Sequence, residues 1–221
     1  MTTQPHALIV GAGLGGLATA IGLSRAGFRV SLFEKASDPV AVGFGIGITT
    51  NGMQALRYLG AYDAVAQAGC AVETSIIQTA HGQLISSAPV KAIGERTGVP
   101  SRSFHRAALQ RALLSLLPKD CLRTAAACVG VEQLGARVRV RFADGTHADG
   151  DFVIGADGIN SAVRRALHGE QPARHADYVV WLAVMELEHP SLSRGYNGHY
   201  WGVGSRFGIH DVGGGQWYWW A

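Results

Sequence analysis

A glycine pattern set between a strand and a helix constrains this chain more than any other feature. Residues Ala7 to Val10 form a short apolar run, and Gly11, Ala12, Gly13, Leu14, Gly15 and Gly16 follow it directly. Leu14, Leu17, Ala18 and Ile21 then recur at helical spacing up to Gly27, a helix stop, and Arg29 to Glu34 reads as a second strand. This is a βαβ opening whose first strand is apolar enough to lie inside a parallel sheet. In a GxGxxG turn, glycine serves the tight turn, the close approach of backbone to pyrophosphate, and the packing of helix on strand. Helix-end N–H groups then face the phosphates. Glu34 ends the second strand, where its carboxylate can accept hydrogen bonds from the adenosine ribose hydroxyls and would repel a 2′-phosphate. Lys35 beside it can lie along the adenosine. Gly11, Gly13, Gly16 and Glu34 are thus candidate dinucleotide contacts, but this motif alone does not separate FAD from NAD.

The rest of the chain divides by pattern. Gly43 to Gly52 reads as a glycine-rich loop, Gln54 to Leu59 as a short helix closed at Gly60, and Arg106 to Leu117 as an amphipathic helix ended by Pro118. Between Arg137 and Phe142, three arginines alternate with Val138, Val140 and Phe142, the mark of a half-exposed strand. Asp144 and Gly145 signal a hairpin, and Phe152 to Ile154 leads an apolar strand into Gly155, so an antiparallel meander is expected to return the chain to the parent sheet. From about Gln171 the composition shifts: all five tryptophans and four of the six tyrosines lie beyond Asp177. Segments Tyr178 to Leu187, Gly198 to Ile209 and Gln216 to Trp220 read as strands. The fold class expected is α/β: a Rossmann-like domain over residues 1–170, with parallel sheet and β-meander, followed by the start of a mainly antiparallel domain over residues 171–221. Residues 70–105 are open to joining the second lobe. The last strand reaches Ala221 with no partner or turn after it, and an aromatic strand at a sheet edge is an aggregation hazard, so a truncated sequence is expected.

Composition narrows the function classes. The chain has 221 residues, 48% hydrophobic and 16% charged, which suits a compact α/β protein rather than a disordered or fibrous one. A net charge of +3 comes from scattered lysines and arginines, not from a block that would follow a phosphate backbone, so nucleic acid is not an expected partner. Cys70, Cys121 and Cys128 are odd in number and have no metal-ligand spacing, which argues against a disulfide framework or a zinc site and for a reducing cytoplasm. The uncharged stretch Ala7 to Leu23 has no Lys or Arg before it and contains five glycines, unlike a signal or membrane segment.

A second motif speaks to the cofactor. Asp151 to Arg164, with strand residues Phe152 to Ile154, Asp157 and Gly158 in a turn, Ser161 at a helix start and Arg164 within it, resembles the DG fingerprint of FAD-dependent aromatic hydroxylases, and the resemblance implies that Asp157 is an FAD contact. A third segment, Phe104 to Leu113, is similar to the family stretch in which an arginine at a helix start contacts the flavin's phosphate-bearing chain. That role falls to Arg106, whose guanidinium can bind phosphate oxygens in a fork, and Gln110 one turn on can share its face. His105 is expected to pack or cap. The loop Val42 to Gly52 resembles the one that passes near the isoalloxazine, where Gly47 would let backbone approach the ring; Thr50 stands where the family carries a proline. By its position in the resemblance, Cys128 lies near the adenine through its backbone.

These segments together resemble the single-component hydroxylases that act on salicylate, hydroxynicotinate and urate. The resemblance implies FAD, reduced by NADH or NADPH, reacting with molecular oxygen to a C4a-hydroperoxide that hydroxylates a small aromatic or heteroaromatic substrate. It places Arg206 where related enzymes hold an anionic or carbonyl-bearing substrate, and Tyr218 on a strand facing the same pocket. Val180 and Leu182 flank Trp181 where the urate-type pattern has an asparagine, so urate itself is not expected. Members of the family are longer and carry a later Gly-Asp-Ala motif that binds the ribityl chain; nothing here matches it, and the chain alone is expected to hold FAD weakly. No catalytic acid or base stands out. Two alternatives stay open: an FAD-dependent dehydrogenase or reductase that does not insert oxygen, and a noncatalytic FAD-binding fragment.

Overall fold

The computed structural model describes residues 4–40 and 43–221. Val42, the first residue of the loop singled out above, lies outside them. The chain falls into two compact units, residues 1–41 with 113–176 and residues 42–112 with 177–221.

In chain order the elements open with β1 (His6–Val10), α1 (Leu14–Arg25) and β2 (Arg29–Phe33). The second unit then begins with β3 (Gly45–Ile48), α2 (Thr50–Tyr58), α3 (Tyr62–Ala66), β4 (Gly69–Ala71), β5 (Thr74–Thr79) and β6 (Leu84–Ala88). It continues through α4 (Val90–Thr97), β7 (Arg102–His105) and α5 (Arg106–Leu114). The chain returns to the first unit with β8 (Leu122–Arg123), β9 (Cys128–Leu134), β10 (Arg137–Phe142), β11 (His147–Gly150), β12 (Phe152–Gly155) and α6 (Ala162–His168). Four strands end it: β13 (Leu182–Glu186), β14 (Tyr196–Trp201), β15 (Arg206–Gly213) and β16 (Gln216–Trp220).

The first unit holds a parallel sheet in the order β12-β1-β2-β8. All five residues of β1 are buried, as its unbroken apolar run requires of a central parallel strand. Helix α1 packs Leu17, Ala20 and Ile21 inward and stops before Gly27, whose φ of 88° no longer continues a helix. The antiparallel meander β11-β10-β9 packs Val138, Val140 and Phe142 into one core with Leu8, Val10, Phe33 and Val163. The arginines of β10 point away from that core and pair with acids of neighbouring strands: Arg139 with Asp149 at 2.7 Å and Arg141 with Glu132 at 3.0 Å. Alternation on β10 thus decides which face is core and which is an ion-paired surface.

The second unit is built on a six-stranded sheet, β13-β16-β15-β14-β5-β6, antiparallel except where β14 meets β5, and a three-stranded antiparallel sheet, β3-β7-β4. Three sequence expectations need correction here. The segment Gly43 to Gly52 is not all loop: Gly45–Ile48 pairs with β7, and α2 begins at Thr50. The segment Gly198 to Ile209 is two strands, because Gly202 donates to the Ser205 carbonyl and Gly204 takes φ of 70°, turning β14 into β15. Finally, β16 is not an edge strand; it lies between β13 and β15, and β13 is the edge on that side.

Candidate functional site

In the first unit, the turns after β1, β2 and β12 meet at the carboxyl ends of the parallel strands, where open α/β sheets place their ligands. The Gly11 N–H donates to the Phe33 carbonyl at 2.7 Å, and the Ala156 N–H to the Val10 carbonyl at 2.7 Å. Gly11 has φ of 102°, and a Cβ there would stand 2.3 Å from the Ala156 carbonyl oxygen. Gly16 is as constrained: its Cβ would lie 1.8 Å from the Gly11 oxygen, so helix α1 can leave the strand at this angle only without a side chain. Gly13 and Gly15 differ, since a Cβ at either would meet open space. Gly13 caps α1 with no side-chain hydrogen bond, and no acid stands in the first turn. The helix therefore presents bare N–H groups and its positive dipole end to an unobstructed surface, an arrangement that accepts an anion such as pyrophosphate.

Glu34 stands at the rim of that turn. Its Oε2 accepts from the Ala12 N–H and its Oε1 from the Ala36 N–H, each at 2.9 Å. Both oxygens keep a further lone pair, so the carboxylate is fixed in place yet still able to accept from a hydroxyl. Lys35 is exposed beside it. Residues 123–126 run alongside: Glu34 donates to the Arg123 carbonyl at 2.9 Å, and Ala126 donates back to Glu34 at 2.8 Å. This brings Cys128, at the start of β9, close along the chain; it is half-buried, with its thiol raised above the usual pKa mainly by that burial.

Asp157 follows β12 and turns its carboxylate onto α6. Its Oδ1 accepts from the Ser161 hydroxyl at 2.5 Å and its Oδ2 from the Ala162 N–H at 2.6 Å, while Ser161 Oγ accepts from the Arg164 N–H at 2.9 Å. The DG turn is thus a double cap, with Arg164 donating in addition to the Ile159 carbonyl. Because Gly11 abuts Ala156 and the Asp157 Cα, this cap also fixes the second motif against the first.

The second unit holds the other candidates. Gly47, on β3, is exposed with open space where a Cβ would be. Arg106 opens α5; its N–H donates to the Phe44 carbonyl at 2.7 Å, and its side chain is exposed with no ion pair to another described residue. Gln110, one turn on, is buried at 8% exposure. His105 Nδ1 accepts from the Ala107 N–H at 3.3 Å, a helix-capping contact. Arg206 is exposed on β15, its guanidinium 5.0 Å over the Trp201 ring. Tyr218 stands directly across from His210 on β16, stacks on Trp220 at 5.4 Å, and fills the space over Gly45, where a Cβ would come within 2.2 Å of its ring. Burial raises its phenol above the usual value. Sequence reading passed over His199 and His210, which share this sheet. The period-two signal that would have found them is visible only once the turn at Gly202 to Ser205 separates β14 from β15.

A family model described as an FAD binding domain matches residues 4–209. The chain belongs to the FAD binding domain family. Among curated members, it is 38% identical over 221 residues to the aurachin C monooxygenase/isomerase of Stigmatella aurantiaca, covering 100% of this chain and 57% of that one. It is 42% identical over 179 residues to the 3-amino-4-hydroxybenzoate 2-monooxygenase of Streptomyces cremeus, covering 78% and 44%. Klebsiella pneumoniae HpxO, solved with FAD and uric acid, superposes with a TM-score of 0.88 at 26% identity, over 100% of this chain and 56% of that one. The chain therefore spans about half the length of the relatives it matches, and its fold is that of FAD-dependent hydroxylases. No helix among the described residues is long and apolar enough to cross a membrane.

Proposed function

We propose that this chain supplies the FAD-holding part, and a face of the substrate site, of a cytoplasmic flavin-dependent monooxygenase that hydroxylates a small aromatic or heteroaromatic ring. The observation that carries the reading is the open N-terminus of α1, with clear space at Gly13 and Gly15 and the backbone-anchored Glu34 beside it. These residues fit a dinucleotide: Gly11 and Gly16 make the turn, Gly13 admits the pyrophosphate, and Glu34 accepts from the ribose. Lys35 lies along the adenosine and the Cys128 backbone beside the adenine. Asp157 contacts the FAD from a turn that its own carboxylate holds against α6. In the second unit, Arg106 binds phosphate oxygens with Gln110 at its side, and Gly47 admits the flavin ring. Bound FAD supplies hydride acceptance from NADH or NADPH and activation of molecular oxygen. Arg206 and Tyr218 orient the ring substrate, and the aromatic side chains around them keep water away from it.

Flavin-fluorescence titration of the purified chain tests this. ADP is expected to compete with FAD while FMN does not bind, since the contacts gather at the adenosine and pyrophosphate end. Tight FMN binding, or FAD binding that ADP leaves untouched, overturns the reading. Substrate-stimulated NAD(P)H oxidation with oxygen uptake and a hydroxylated product then separates a hydroxylase from a dehydrogenase.

A further inference from the structure

The sheet face that carries Arg206 and Tyr218 also carries two imidazoles. Cross-strand register pairs His210 with Tyr218 and with Asn197, and Gly208 with Trp220 and with His199, so these side chains share one face with Arg206, four residues before His210 on β15. Trp220 lies across Gly208, where a Cβ would come within 1.9 Å of the indole. The indole meets His199 at 5.1 Å and His210 at 4.7 Å between ring centres, both edge-on, and the two imidazoles are 5.5 Å apart. The centre of this face is thus an aromatic platform with imidazoles along one side.

Its polar groups are not closed within the protein. His210 is only 8% exposed, yet neither ring nitrogen has a hydrogen-bond partner among the described residues, and the buried Asn197 Oδ1 across from it has none either. A histidine whose role is only packing ordinarily finds such partners. His6 does so: also 8% exposed, it pairs one ring nitrogen with Ser31 Oγ at 2.8 Å and the other with Arg29 at 2.6 Å. His199 is half-buried and makes no hydrogen bond to another described residue. Burial, and secondarily the Arg206 charge, lower its pKa; burial, and secondarily His199, bring His210 to about 4. Both rings are neutral at pH 7; the His210 nitrogens are buried, whereas the half-buried His199 offers one donor and one acceptor to a ligand.

We propose that His199, seated against Trp220 and backed by His210, is a substrate contact that selects a ring hydroxyl or amino group beside the anionic or carbonyl group taken by Arg206. This rests on the aromatic-hydroxylase reading and narrows its substrate to rings bearing both kinds of substituent. A neutral imidazole next to a guanidinium suits that pair, because the guanidinium only donates while the imidazole can accept from a hydroxyl or amine.

Tryptophan fluorescence of the purified chain, titrated with 3-amino-4-hydroxybenzoate and with benzoate, tests it on wild type, His199→Phe and His199→Gln. His199→Phe is expected to weaken the aminohydroxy ligand about tenfold and leave benzoate unchanged, with His199→Gln recovering most of the loss. Equal weakening of both ligands, or of neither, overturns the proposal while the hydroxylase reading stands. A wild-type chain that binds FAD but neither ring counts against aromatic substrates altogether, and this contact falls with them. Far-UV circular dichroism confirms that each variant is folded.

Discussion

His6 and His210 are equally buried, one in each unit, and they are treated in opposite ways. His6, at the start of β1, has both ring nitrogens bonded, and at the other end of the same sheet Glu34 takes two backbone N–H groups and Asp157 takes a hydroxyl and an N–H. His210, on β15, has neither nitrogen bonded, and Asn197 opposite shares the deficit. The difference is between a finished scaffold, whose buried polar groups are paired, and an unfinished face, whose buried polar atoms have no partner among the described residues. A nucleotide site benefits from the first arrangement, because fixed donors cost no reordering on binding. On the second face the half-buried His199 is the imidazole that a ligand can reach, and an unmet donor or acceptor there would penalise a ligand that leaves it unpaired.

The finished scaffold should break most sharply at Gly16. In Gly16→Ala the new methyl would meet the Gly11 carbonyl oxygen at 1.8 Å, so strand and helix must separate, with an expected loss on the order of 3–5 kcal/mol. Gly13→Ala is the control within the same motif: its φ of −68° suits alanine and its Cβ meets nothing. Denaturant unfolding should leave Gly13→Ala near wild type while its FAD affinity falls, because the methyl would occupy the path proposed for the pyrophosphate. If Gly13→Ala unfolds like Gly16→Ala, the division of labour among these glycines is wrong.

The unfinished surface should show itself through pH. The folded-state pKa of His210, about 4, lies below its ordinary 6.5, so the unfolded chain takes up a proton that the folded chain resists. The neutral ring therefore costs nothing in protonation above pH 6.5, and stability is lost as pH falls from there toward 4, by on the order of 3 kcal/mol in all. His199 and His6 are shifted the same way and add to the slope. Urea unfolding at pH 7 and pH 4.5 should show His210→Phe losing much less stability between the two than wild type. An unchanged slope would mean that the buried ring is hydrated or already charged.

The two regions also differed in how far the sequence disclosed them. The first unit was readable because its information is local: Gly11 to Gly16, Glu34 at the end of β2, the alternation from Arg137 to Phe142, and Ser161 capping α6 each depend on neighbours a few residues away. The second unit depends on pairings between distant segments. β16 becomes an interior strand only because β13 and β15 flank it, and β3 becomes a strand only because β7 lies opposite. Neither relation leaves a mark on the residues themselves. The aromatic enrichment after Asp177 showed that the chain changed character, but not that residues 42–112 belong to the same unit. Periodicity in Tyr196 to Gly213 was masked by Gly202 to Ser205, and with it went the two histidines.

Arg106 gives the mildest test and separates stability from binding most cleanly. Its side chain is exposed and without an ion pair to another described residue, while its backbone N–H is held by the Phe44 carbonyl whatever the side chain is. Arg106→Ala should therefore leave unfolding within about 0.5 kcal/mol of wild type, as surface substitutions do. If the guanidinium binds the phosphate-bearing chain of FAD, affinity should fall about tenfold, the scale of one charge-assisted contact. Arg106→Lys should recover only part of it, because a point charge cannot hold two phosphate oxygens in a fork. Salt supplies a further check, since the wild-type advantage over Arg106→Ala should shrink as ionic strength rises. An affinity unchanged by Arg106→Ala would make this a surface arginine and leave the nucleotide to the first unit's glycines and Glu34.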